Sequence, residues 1–119
     1  MTKEKLKQDQ RLLVLWATDC AEHVLPYFEK EYLRDKRPRK AIEVGRTWVN
    51  GEITIGEVRV AAFAAHAAAR NANEGSAARA AARAAGQAVA TVHVAGHAPH
   101  AANYAITAAE AAGIAGERE

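Results

Sequence analysis

The placement of alanine constrains this chain more than any other feature. Thirty of its 119 residues are alanine, and 27 of those fall between Ala61 and Ala115. Alanine is the strongest helix former, so the fold class that follows is all-α. The length is that of one domain. We expect a single compact bundle of about five helices over residues 1–119, with an alanine-rich C-terminal half and with residues 1–6 and 114–119 frayed.

Bulk is partitioned the other way. Of the 20 Leu, Ile and Val residues, 15 lie before residue 61, as do five of the seven aromatics. Large side chains of the first helices should therefore pack against a flat wall of alanines on the later ones. Such a wall lets helix axes approach at the short end of the usual ~8–10 Å range. Each buried alanine removes little apolar area from water, and at ~25 cal/mol per Å² the return is modest. A self-associating structural protein, a homodimer for example, is one reading of such surfaces.

Helix boundaries can be read from local chemistry. A first helix should begin near Lys5 to Gln8 and carry Leu12, Leu13, Leu15, Trp16, Ala17, Cys20 and Val24 as its apolar positions, with Pro26 kinking or restarting it. Pro38 suits a first helical position, which predicts a second helix to Val49 with Ile42, Gly45, Trp48 and Val49 inward. Asn50-Gly51 marks a turn, and Thr54 with Glu57 reads as a capping box opening a third helix from Ile55 to about Asn73. Gly75 and Ser76 separate it from a fourth, expected over Ala77 to about Ala95. A break at Gly96 to Ala98 precedes a fifth from Pro99 to Ala112.

Charge excludes some functions. The net charge of +2 is too mild to imply a nucleic-acid partner, which needs basic residues concentrated on one face. No charged residue lies between Arg83 and Glu110, yet Gln87, His93, His97, His100 and Asn103 make that stretch too polar to span a membrane. The N-terminal residues mix charges and lack an apolar run, which argues against a secretory signal and for a cytoplasmic protein, and the lone Cys20 fits a reducing compartment. No glycine-rich phosphate loop, Walker-type motif or G-x-S-x-G elbow occurs, so no enzyme activity is expected.

The polar residues of the alanine-rich half invite two readings. On one continuous helix, His93, His97 and His100 would form a single stripe. Joined by His66 and by Asp19 of the first helix, His93 and His97 could hold a divalent metal such as zinc, making the protein a metal- or small-ligand-binding bundle. Otherwise the imidazoles hydrogen-bond within an apolar interface, and no cofactor is expected. Asp19 is expected in a structural polar network with Arg37 or Arg39, or paired with His66. Cys20 reads as a small buried hydrophobe, its thiol pKa raised by Asp19 and Glu22 rather than lowered for catalysis.

Several segments together carry a resemblance. Arg11 to Glu22 with Val24-Leu25-Pro26, Arg37 to Glu43, Trp48 through Gly51 to Thr54, Ala64 to Arg70, and Ala90 to Ala98 resemble a family of small all-helical proteins named as immunity proteins of bacterial polymorphic toxin systems. Pro99-His100 departs from that pattern, where an apolar residue and a small one would keep the helix continuous. The resemblance implies an all-α fold and neutralisation of a cognate toxin protein by direct binding. It matches Asp19, Arg37, Arg39, His66, His93 and His97 as polar positions, for a shared network or a shared site. An immunity protein against a nuclease is often acidic in mimicry of its substrate, and this chain is slightly basic, which points away from such a target.

Overall fold

The computed structural model describes the backbone of residues 2–117 and the side chains of residues 2–113. Five helices follow one another: α1 (Lys3–Glu29), α2 (Arg37–Val49), α3 (Ile55–Asn71), α4 (Ala77–Ala90) and α5 (His97–Glu117). The fold is an all-α bundle in which α4 touches each of the other four. That central place explains its composition. Ala78, Ala80, Ala81, Ala82, Ala84, Ala85, Gly86 and Ala88 are all buried, on nearly every side of the helix. A helix surrounded by four neighbours has no room for long side chains, and alanine keeps the helix while letting each neighbour approach.

The bulk opposite α4 comes from α1 and α2. Val14, Val24, Leu25 and Phe28 of α1 and Ile42 of α2 are fully buried. The buried face of α1 is thus Val14, Ala17, Ala21, Val24 and Phe28, with Thr18 and Leu25 beside it. Leu12, Leu13, Leu15 and Trp16 do not lie inward as expected: they are exposed, Trp16 by 47% and Leu12 by 58%. Both buried threonines return their hydroxyls to their own helix, Thr18 to the carbonyl of Val14 and Thr91 to that of Gln87. On α2, Ile42 and Gly45 are buried as expected, whereas Trp48 and Val49 are only partly covered.

The starts of α3 and α4, set by side-chain caps, fall where the sequence places them. Thr54 and Glu57 close both bonds of the capping box, at 3.2 and 2.9 Å. Ser76 Oγ accepts the amide of Arg79 at the head of α4, and Gly51 and Gly75 take the positive φ of 79° and 74° that only glycine adopts at no cost. At the N-terminus the helix is longer than expected, because Thr2 caps the amide of Lys5 and Lys3 to Leu6 are helical. Pro26 does not restart the helix, because α1 runs on through it to Glu29. It is exposed and is the fourth residue from the end, so its missing N–H removes one late helical bond, that to the Glu22 carbonyl.

Helix ends set by tertiary contacts differ from expectation. The third helix stops at Asn71, and α4 stops at Ala90, five residues early. The Gln10 amide of α1 donates to the carbonyls of Thr91 and Val92, at 3.3 and 2.6 Å, capping the end of α4 from another helix. The chain then turns through residues 91–96, and α5 begins at His97 rather than Pro99. Pro99 sits within its first turn, where a missing N–H leaves no bond unmade. That helix runs past Gly113 to Glu117, beyond its expected end at Ala112, while Met1, Arg118 and Glu119, within the termini expected to fray, lie outside the described residues. No helix among the described residues is long and apolar enough to cross a membrane.

Candidate functional site

The polar residues of the alanine-rich half gather along two helical stripes. On α3 they are Arg59, His66 and Arg70, with the exposed Phe63 among them, each three or four residues after the last, which puts all four on one flank. On α4 the stripe is Ser76, Arg79, Arg83 and Gln87, the polar positions of a helix otherwise built from small residues. The stripes meet at His66.

His66 is half-buried and its ring lies flat against the backbone of Gly86. A Cβ at position 86 would stand 2.6 Å from Nε2 and 2.7 Å from Cε1, so the ring fits only because residue 86 has no side chain. Arg83 Nη1 stands 2.8 Å from His66 Nδ1. Guanidinium can only donate, so Nδ1 accepts and the ring proton is on Nε2. Burial, then the charges of Arg83, Arg70 and the neighbouring His97, lower the pKa of His66 from its ordinary 6.5 to about 4. The ring is neutral at pH 7.

That displacement makes stability depend on pH. An unfolded chain takes up its imidazole proton near pH 6.5, whereas folded His66 takes one only near pH 4. Between these values the unfolded state binds more protons, so stability falls as pH drops through that window and is unaffected by His66 above it. Solvent screening of a half-buried ring limits the loss to about 1–2 kcal/mol. Urea midpoints of the native chain and of His66→Gln, measured at about pH 7 and about pH 4.5, should differ in their fall by that amount. Equal falls in the two proteins would overturn the assignment. Glu22, Glu29 and Asp35, held below the usual carboxylate range by hydrogen bonds from Arg46, Arg39 and Arg37, titrate alike in both and cancel in the difference.

The other histidines do not form the stripe expected of them. His93 lies in the turn after α4, and only His97 and His100 share a helix, their rings 6.3 Å apart and tilted. His97 Nδ1 stands 2.8 Å from Gln87 Oε1 and donates to that oxygen. His93 keeps Nε2 buried with no hydrogen-bond partner among the described residues, and burial, then Arg59 and His97, lower its pKa. Asp19 is elsewhere. It is exposed on α1 and accepts from Arg46 at 2.8 Å, not from Arg37, Arg39 or His66. Among the described residues no group of three or more His, Cys, Asp or Glu side chains stands close enough to hold a metal ion.

Arg37 and Arg39 each pair with a carboxylate other than the Asp19 expected. Arg37 makes two side-chain bonds to Asp35, 2.9 and 2.7 Å, and its amide donates to the same carboxylate, closing the turn into α2. Arg39 makes a two-pronged bond to Glu29, 2.6 and 2.7 Å, and Arg46 joins both Asp19 and Glu22, so α2 is fastened to α1 twice. Arg46 is the member of this network that spacing alone did not single out. Cys20 is half-covered rather than buried, and burial followed by Asp19 raises its pKa, which leaves the thiol unreactive at neutral pH. It lines a shallow apolar groove between α1 and α5 with Trp16 and Ile106.

The comparison with known families covers all of these residues. A model described as "Imm-5 like putative immunity protein" matches residues 4–119, which takes in all five helices. The chain belongs to that family. No curated protein and no solved structure gives a significant match. Within this Imm-5 like chain, the residues that spacing overlooked are Gln10, Arg83, Gln87 and Gly86. The signal for two of them was present: Arg83 and Gln87 follow Arg79 at helical spacing on an alanine background, which marks the one side of α4 that meets solvent. Nothing local marks Gln10.

Proposed function

We propose that this protein neutralises a bacterial toxin by direct protein–protein binding. Membership of an immunity-protein family across residues 4–119 carries the reading, because the match takes in the whole bundle rather than one shared motif. The surface supports it. Trp16, Val60, Phe63 and Ile106 are each about half exposed or more, and a buried aromatic or aliphatic anchor is what a protein interface draws on. The polar groups that are gathered, His66 with Arg83 and His97 with Gln87, hold helices together and position no nucleophile. Binding is the activity such a bundle offers.

Co-expression decides the matter. Cells that produce the toxin encoded beside this gene should arrest, and production of this protein should restore growth and yield a complex on co-purification. Arrest that persists while the protein is soluble and folded would overturn the reading.

A further inference from the structure

The arginines of this chain divide by helix. Arg37, Arg39 and Arg46 of α2 are each bonded to a carboxylate, whereas Arg59, Arg70, Arg79 and Arg83 of α3 and α4 form no ion pair among the described residues. Nor is there an acid for them to use. From Val58 to Ala109 the sequence has four arginines, four histidines and one acid, Glu74 in the turn before α4. The four arginines lie on the two stripes that meet at His66, so an unneutralised cationic face runs across α3 and α4. Its aromatic centre is Phe63, 68% exposed, on the same flank of α3 as Arg59 and Arg70.

A cleft opens at the α4 end of this face. It has a volume of about 340 Å³ and is lined by Ser76, Arg79 and Arg83 of α4 and by Tyr104 and Thr107 of α5. Two guanidiniums bring fork-shaped donors that fit a carboxylate, and the Tyr104 hydroxyl adds another, whereas Ser76 and Thr107 already donate to the carbonyls of Asn73 and Asn103. Arg83 is already oriented, since one of its nitrogens is tied to His66 Nδ1. The first turn of α4 adds its partial positive charge in the same direction.

The geometry points to this face, the α3 stripe, the α4 stripe and the cleft between Arg79 and Tyr104, as the docking surface for an acidic protein surface. As the toxin-facing side of the molecule it rests on the reading above. Charge complementarity fixes the occupant: a face of four arginines with no ion pair among the described residues pairs with carboxylates, and an exposed phenylalanine among them suits a partner with an apolar spot inside an acidic rim. A nucleic-acid strand fits less well. Strand-binding surfaces stack bases on a succession of aromatics along a basic groove, and this face has one exposed aromatic, Phe63, and a half-buried Tyr104 in the cleft.

Two measurements test it. In the first, a short polyglutamate peptide is titrated into the labelled protein and backbone amide shifts are followed. Changes should concentrate at residues 59–70, 75–87 and 104–107; changes centred on the basic turn at residues 34–40, or none, would overturn the proposal. Polyuridylate titrated the same way should bind more weakly, and tighter binding at the same residues would reassign the face to nucleic acid. In the second, Arg70→Glu/Arg79→Glu is compared with Lys36→Glu/Lys40→Glu for retention of the toxin. Arg83 is left in place because it holds His66, and unchanged urea midpoints confirm that both variants fold. The first variant should lose affinity by about tenfold or more and the second should not. If the native chain holds the toxin and the first variant holds it equally well, the surface is wrong and the toxin reading stands. If the native chain holds no toxin, that reading fails, and the amide shifts still decide the surface.

Discussion

Replacing Phe28 with alanine should cost about 3–5 kcal/mol of stability, the largest effect of any single truncation in this protein. Phe28 is the largest of the fully buried side chains, 1% exposed, and its ring stacks on Tyr32 at 5.0 Å. Two terms add when it is cut back. Transfer of the lost ring to water removes one of the few large apolar burials in a core made mainly of alanine. The hole left behind then stays open, because alanine has no rotamer with which to swing into a void and the surrounding helices are held at fixed spacing by their neighbours. A domain of this size has roughly 5–15 kcal/mol in total, so Phe28→Ala should be largely unfolded under mild urea. Phe28→Leu keeps most of the volume and should lose less than about 1.5 kcal/mol. Urea midpoints read both, and a Phe28→Ala loss below about 1 kcal/mol would show that the core closes around the gap.

The same partition of large and small residues explains how much could be read beforehand. The starts of α3 and α4 were legible because the residues that cap them are adjacent in sequence: Thr54 with Glu57, Ser76 with Arg79, Gly51 and Gly75 at the turns. The end of α4 was not. Gln10, 81 residues before Thr91, holds the carbonyls of Thr91 and Val92 just past its last residue, and no local pattern announces that contact. The buried side of α1 was ambiguous for another reason. Apolar residues occupy three sides of that helix, and periodicity cannot choose among them; contact with α4 and α2 selects Val14, Ala21 and Phe28 and leaves Leu12 and Trp16 outside.

The site was legible as composition and not as geometry. His66, His93 and His97 were conspicuous on an alanine background, yet the expected stripe required one unbroken helix through residues 93–100, and the turn at residues 91–96 separates His93 from the others. What the sequence also held, without periodic emphasis, was the difference between the arginines that have acids within reach and those that do not. Arg46 finds Asp19 and Glu22 only because α2 lies along α1, and Arg83 finds His66 only because α3 lies along α4. Pairing across helices depends on which helices are neighbours, and the order of elements in the chain leaves that open.

Gly86→Ala tests whether the meeting point of α3 and α4 is built as described. Taken alone, glycine to alanine inside a helix gains about 1 kcal/mol from reduced backbone freedom in the unfolded chain. Here the new Cβ would lie 2.6, 2.7 and 2.9 Å from three atoms of the His66 ring, closer than carbon ever approaches, so the ring must leave its place. Leaving breaks the bond from Arg83 to Nδ1 and uncovers a half-buried guanidinium and imidazole, a loss that outweighs the helical gain. The net expectation is a destabilisation of about 1–3 kcal/mol. His66→Ala removes the obstacle, and in that background Gly86→Ala should be neutral or stabilising by up to about 1 kcal/mol, so the two changes should couple by about 2 kcal/mol or more. Strict additivity would show that the ring does not lie on the glycine. The displaced ring should also titrate closer to its ordinary value, and Gly86→Ala should therefore lose part of the fall in stability between about pH 6.5 and pH 4 that His66 gives the native chain.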